Sequence, residues 1–252
     1  MKKLLFILLY FPMIGFGQSY KLALQNTGTS TSFRGMSIVS DQVAWVSGSN
    51  GTIGKTTDGG STWQWITPSG YEKLDFRDIE AFDTDRAIVV NAGSPAYILL
   101  TVDGGKSWTQ TYKNVDSAIF LDGMDFWDAK RGIIFGDPIK NRMQLLRTND
   151  GGLSWEDISA NLKRDLIAGE AGFAASGTSI VTMENGKVWI ATGGAASNIY
   201  YSNDYGNKWS FYKCPILQGE SSTGVFSIAF QTKKNPSFRP IAHISTRFTS
   251  IF

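Results

Sequence analysis

The feature that most limits what this chain can fold into is a short phrase that returns four times. It reads TTDGGSTW at 56–63, TVDGGKSW at 101–108, TNDGGLSW at 148–155 and SNDYGNKW at 202–209. The shared template is Ser or Thr, any residue, Asp, any residue, Gly, two residues, Trp. The acids are Asp58, Asp103, Asp150 and Asp204; the glycines are Gly60, Gly105, Gly152 and Gly206; the indoles are Trp63, Trp108, Trp155 and Trp209. Successive acids lie 45, 47 and 54 residues apart. Recurrence at that period means one supersecondary unit per copy, stacked or arranged radially.

Within each period the local pattern is β. The second copy holds FRDIEAFD, RAIVVNA, AYILLTVD and WTQTYK. These runs are short, rich in Val, Ile and aromatics, and bounded by Gly, Asp, Asn or Pro. The other copies divide the same way, so each carries four strands, A to D from the inside out. Radial four-stranded sheets make a β-propeller. The reading is all-β, with four complete four-stranded blades plus part of a fifth. The phrase falls on the turn between strands C and D. Its Asp is suited to accept backbone N–H groups of that turn, and its Gly to supply positive φ. Its indole is expected to cover the hairpin and pack into its own blade. These residues match the Asp-box, or bacterial neuraminidase repeat, in four copies of one register. The fourth departs at Tyr205 and Lys208. A calcium loop needs six to eight oxygens from closely spaced acids, and each box has one fixed acid. The boxes therefore read as structural, with no metal site.

Composition narrows the function classes. The opening MKKLLFILLYFPMIGFGQ has two lysines, an apolar run and small residues at Gly15 and Gly17. That reads as a signal peptide over 1–17, and the protein is expected to be exported, periplasmic or secreted. The run is short and broken by Pro12 and Gly15, whereas a span needs about 20 apolar residues. No cysteine follows it for lipid attachment. Of 24 basic residues two belong to this leader, against 22 acidic ones, so the exported part is neutral and a nucleic-acid stripe is not indicated. Cys214 stands alone, so no internal disulfide is expected. A single histidine, His243, rules out a His cluster for zinc.

Propeller geometry sorts the loops. C–D and A–B turns share one face; B–C and D–A loops share the other, around the channel mouth. The candidate site lies on the second face. Strands A of the first two blades open alike, SFRG and DFRD, which puts Arg34 and Arg77 at equivalent inner positions. Asp137 in the B–C loop GDPIKNR and Glu170 in the long D–A connection 159–172 are expected to join them. The four suit a polar ligand, a glycan or a partner's loop. Asp137 and Glu170 are also the only candidate pair for glycoside hydrolysis, which needs two carboxyls about 5–10 Å apart.

A further resemblance rests on longer phrases: FGDP, GEAGFAASGT, VWIATGG and STGVFSIAF. They resemble exported bacterial proteins grouped with photosystem II stability/assembly factors, over most of residues 20–230. The resemblance implies a six- or seven-bladed family and a non-catalytic role in binding a protein or glycan partner or assisting assembly of an envelope complex. The alternative it leaves is a sialidase-like glycoside hydrolase. A sialidase's Arg-Ile-Pro motif precedes the first box, whereas FRP at 238–240 lacks the Ile and lies at the other end. An oxidoreductase label also occurs among relatives, but GSNGTIG (48–54) joins two strands and opens no helix for a pyrophosphate, so no cofactor is expected. The propeller is assigned to 18–231. From Thr232 onward the chain has no Gly, Asp or Glu and leaves the blade pattern, which reads as a truncated or frameshifted tail over 232–252. YKLALQN (20–26) reads as an outer strand awaiting partners. An unclosed ring would leave edges that favour aggregation.

Overall fold

A computed structural model describes residues 28–174 and 177–230. The leader, the strand expected at 20–26, and the tail with His243 lie outside those residues. Four antiparallel four-stranded sheets follow one another along the chain. The first joins β1 (Phe33–Ile38), β2 (Ala44–Gly48), β3 (Ile53–Thr56) and β4 (Gln64–Ile66). The second joins β5 (Phe76–Ala81), β6 (Ala87–Asn91), β7 (Ala96–Thr101) and β8 (Thr109–Asn114). The third joins β9 (Leu121–Phe126), β10 (Gly132–Ile139), β11 (Arg142–Thr148) and β12 (Glu156–Asp157). The fourth blade is less regular. A two-stranded piece, β13 (Glu170–Ala171) with β16 (Gly193–Gly194), sits beside a sheet of β14 (Ile180–Met183), β15 (Lys187–Ala191), β17 (Asn198–Ser202) and β18 (Ser210–Lys213). Its inner strand is β14, Ile180–Met183. The long connection 159–172 opens with a 3₁₀ turn at Ser159–Asn161.

The core lies between sheets. One apolar cluster joins the first and second sheets around Trp45, Ile53, Phe76 and Val89. Another joins the second and third through Ile88, Ile98, Leu121 and Ile134. A third joins the third and fourth through Ile133, Phe135, Val188 and Tyr200. The outer face of the fourth sheet is covered by Val225 and Ile228, and Gly224 forms a bridge to Gly193. That segment lies where part of a fifth blade is expected; it holds one isolated bridge and no described strand. Sheets covered on both faces need apolar residues at every position, which is why β6, AIVVN, is buried throughout. No apolar cluster among the described residues joins the fourth sheet to the first. The free face of the first sheet leaves Met36 64 % and Ile38 68 % exposed.

The inner strands are tied across blades by side chains to backbone. Ala81 N–H donates to Ser37 Oγ at 3.0 Å. Met124 N–H donates to Asp78 Oδ2 at 2.8 Å, and Thr182 N–H to Asp125 Oδ2 at 2.6 Å. Each bond satisfies an inner-strand N–H that has no sheet partner on the channel side.

The boxes repeat one geometry. In the first, Thr56 Oγ1 donates to Asp58 Oδ1 at 2.9 Å and accepts Gly60 N–H at 2.9 Å. Thr62 N–H donates to Asp58 Oδ1 at 2.8 Å and its hydroxyl to Oδ2 at 2.6 Å. Thr101–Ser107 and Thr148–Ser154 reproduce the set. The fourth box has Lys208 where the others have a hydroxyl, so only its N–H reaches Asp204; Asn207 N–H adds a second bond at 3.1 Å. The glycines are left-handed, from φ 79° at Gly206 to 88° at Gly60. Each turn is also bonded to the A–B turn of its own blade, through Gly59, Gly104, Gly151 and Tyr205 N–H. The boxes and A–B turns thus share a face.

Trp63 stacks on Trp65 of its own blade, but the other three indoles reach the neighbouring one. Trp155 packs in the cluster between the second and third sheets and its Nε1–H donates to Thr111 of β8. Trp108 and Trp209 sit in the corresponding clusters one blade to either side. The preceding blade also supplies a cation to each later box. Lys55 Nζ donates to Gly104 O at 2.9 Å, Arg86 to Gly151 O, and Arg147 to Tyr205 O at 3.0 Å. The box is therefore a hairpin clip whose outer surface is the contact between blades.

Candidate functional site at the channel mouth

On the opposite face, B–C loops and D–A connections are laced together by backbone bonds. Gly51 N–H donates to Leu74 O, Ala92 to Asp75 O, Asp137 to Phe120 O, and Ala195 to Gly169 O. These bonds fix the loops that carry the candidate residues.

Arg34 and Arg77 occupy the same place in their blades. Each stands at the register break of its inner strand, between Phe33 and Gly35 and between Phe76 and Asp78. A β-bulge leaves its extra residue unpaired and re-aims it. Arg77 Nε lies 3.2 Å from Asp75 Oδ2, and its other end donates to Ala174 O at 3.2 Å. The guanidinium lies over the Phe120 ring. The Nε of Arg34 is enclosed without a hydrogen-bond partner among the described residues.

The third blade breaks register at the same point, between Leu121 and Gly123, so Asp122 takes the arginine's position. Sequence reasoning missed it. The signal was present: LDGM aligns with FRGM and FRDI. Asp122 is 1 % exposed. Burial, then the neighbouring Asp137, push its pKa well above the usual carboxylate range, and Arg77 only partly offsets them. Asp137 Oδ1 accepts Gly172 N–H at 3.1 Å; burial raises its pKa, while Gly172 N–H and the neighbouring Asp122 oppose that rise. A neighbouring like charge disfavours the ionised form, so Asp137 adds to burial in keeping Asp122 from ionising.

Glu170 lies elsewhere. It is fully enclosed, and its Oε1 accepts Thr192 Oγ1–H, Asn198 Nδ2–H and Tyr200 O–H at 2.7–2.8 Å. Arg164 is 3.9 Å from Oε2. Burial and the Glu170 carboxylate raise the Tyr200 pKa strongly. This carboxylate holds the B–C loop of the fourth blade to the long connection. The carboxyl that meets Asp137 is Asp122, not Glu170. Among the described residues no cluster of three or more His, Cys, Asp or Glu is arranged to hold a metal. No described helix is long and apolar enough to cross a membrane.

Residues 18–115 match the family model described as photosynthesis system II assembly factor YCF48. A curated relative, the photosystem II assembly lipoprotein Ycf48 of Synechococcus sp. (strain CC9902), is 29 % identical over 174 residues. That match covers 64 % of this chain and 50 % of the relative, so the chain spans about half the relative's length. Among solved structures, the GH74 enzyme of Niastella koreensis superposes with a TM-score of 0.53 at 19 % identity, over 76 % of this chain and 25 % of that one. YCF48 bound to D1 peptide has a TM-score of 0.48 at 19 % identity, covering 86 % and 78 %. With four boxed sheets, three shared cores and that match at its start, the chain is an Asp-box β-propeller protein resembling the photosystem II assembly factors of the YCF48 type.

Proposed function

We propose that this chain is an exported, non-catalytic propeller that binds a protein partner at its channel mouth and assists assembly of an envelope complex. Residues 1–17 serve as the leader and 18–231 as the propeller. The observation that carries the reading is the row of bulged inner-strand residues, Arg34, Arg77 and Asp122, with Asp137 behind it. Arg34, Arg77 and Asp137 are part-exposed there, with the buried Asp122 beneath them, on a preformed face that suits a polar partner segment. Glu170 contributes by fixing the loop from inside. The similarity to a relative named as an assembly lipoprotein supports the role.

Glycoside hydrolysis has less support. Two catalytic carboxyls stand about 5–5.5 Å or 6.5–9.5 Å apart to admit a sugar or a water, whereas Glu170 is fully enclosed and its Oε1 is occupied by Thr192, Asn198 and Tyr200. The test is recovery of partners from an envelope extract by the intact protein and by Arg34→Ala/Arg77→Ala. Loss of a specific partner with the variant is expected; identical recovery rejects the mouth as the surface. Turnover of any aryl glycoside that Asp137→Asn abolishes would reject the non-catalytic reading.

A further inference from the structure

A second charged feature lies away from the mouth, where the second and third blades meet on the same face. It is a groove of about 610 Å³. One lip is basic, formed by Lys140 and Arg142 at the β10–β11 turn. The other is acidic, formed by Asp116 from the connection after β8, Asp157 at the end of β12 and Asp165 from the long connection. Gln144 lies between them. All five charged residues are exposed. Among the described residues none of the five enters an ion pair, although both signs line one groove.

The basic lip is built rather than incidental. Ile139 pairs with Arg142 across a two-residue turn. Lys140 and Asn141 both take left-handed conformations, φ 51° and 66°. Such a turn favours Asn or Gly at both positions. A lysine there crowds its Cβ against the backbone, and a residue held in such a conformation points to use of its side chain. Asn141 O accepts Leu166 N–H at 2.8 Å, which locks the turn against the connection bearing Asp165. The acidic lip is anchored too. Asp116 Oδ1 accepts Ala118 N–H at 2.9 Å and Asp157 Oδ1 accepts Ser159 N–H at 2.8 Å, each leaving its other oxygen available. The third blade's outer strand is also short: β12 pairs with β11 only at Leu146 and Arg147. On the side of β11 away from β10, no described strand pairs with Arg142–Gln144, so the groove stays open along that stretch.

We infer that this groove is a docking site for an extended peptide segment carrying acidic and basic side chains together. The acidic ones would face Lys140 and Arg142, and the basic ones Asp116, Asp157 and Asp165. A polyanion would meet the acidic lip, and a neutral glycan would leave five charges without partners. Only a chain of mixed sign complements both lips. The groove shares the loop 136–142 with Asp137 but is lined by none of Arg34, Arg77, Asp122 or Asp137.

The test is fluorescence anisotropy of the exported protein with four short labelled peptides of equal length: mixed-charge, all-acidic, all-basic and neutral. The mixed-charge peptide is expected to bind at least about tenfold tighter than the others, with affinity falling as salt rises. Lys140→Glu/Arg142→Glu is expected to lose about tenfold or more, and Lys140→Arg to bind normally. Arg77→Ala should leave this binding unchanged, which separates the groove from the mouth. Equal binding of all four peptides, no binding of any, or full binding by the double charge reversal would overturn the assignment. So would loss of binding in Arg77→Ala with the reversal unaffected.

Discussion

At the scale of residues, the box hydroxyl matters as much as the box acid. Thr148 is buried, and its Oγ1 is the acceptor for Gly152 N–H. Thr148→Val should strand that N–H and destabilise the protein by about 1–3 kcal/mol, whereas Thr148→Ser should stay close to wild type, as read by urea unfolding. The acids set the low-pH limit. The Ser107 hydroxyl and backbone N–H lower the Asp103 pKa to about 2, and the Thr62 hydroxyl lowers that of Asp58. For Asp150 and Asp204 burial raises the pKa, but their hydrogen bonds outweigh it. A depressed folded-state pKa gives stability that is present above the unfolded value and lost as pH falls through the folded one. The boxes should therefore hold down to about pH 4 and loosen progressively toward about pH 2.

Asp78 acts in the opposite sense. Burial, with a smaller contribution from Asp125, raises its pKa from 3.8 to about 7 despite bonds from Met124 and Ile79 N–H. A raised folded-state pKa favours the neutral acid in the native state. Its contribution is full below the unfolded value and is lost as pH rises through about 7. Thermal melting followed across pH 4–8 should show stability declining toward neutrality in the wild type. Asp78→Asn should flatten that slope; an unchanged slope would mean that another group carries it.

At the scale of elements, each hairpin clip depends on its neighbour. Arg86 donates to Gly151 O of the next box and stacks over Phe82. Arg86→Met keeps much of the stem and removes the donor. It should cost about 1.5–3 kcal/mol, the range for a hydrogen bond from a charged group, in a urea melt probed by tryptophan fluorescence. Sequence reading recognised the hairpin, because the bonds among the Ser/Thr, Asp and Gly of each box join residues at most four apart. It placed the indole in its own blade, because nothing local reveals which neighbour a side chain meets. The cations on the box carbonyls were invisible for the same reason: Lys55 and Gly104 are 49 residues apart.

For the molecule as a whole, the described blades form an arc whose first sheet keeps one apolar face in solvent. Phe33 stacks on Trp65, and Trp65 on Trp63, beside the exposed Met36 and Ile38. Contiguous apolar surface of this kind promotes association. Met36→Lys/Ile38→Lys should reduce light scattering of concentrated protein without lowering its melting temperature, since neither side chain is enclosed.

Strand number, the order of the sheets and the chemistry of the boxed turns were determined by the sequence alone, because they rest on local periodicity and short-range hydrogen bonds. The equivalence of Arg34 and Arg77 was legible for the same reason, as a repeated phrase. Only the tertiary structure decided which carboxyls meet. It set Asp122 against Asp137, turned Glu170 inward onto Tyr200, and brought Lys140 opposite Asp116. Those encounters depend on how one blade is rotated against the next, and that rotation is set by side-chain packing between residues far apart in the chain.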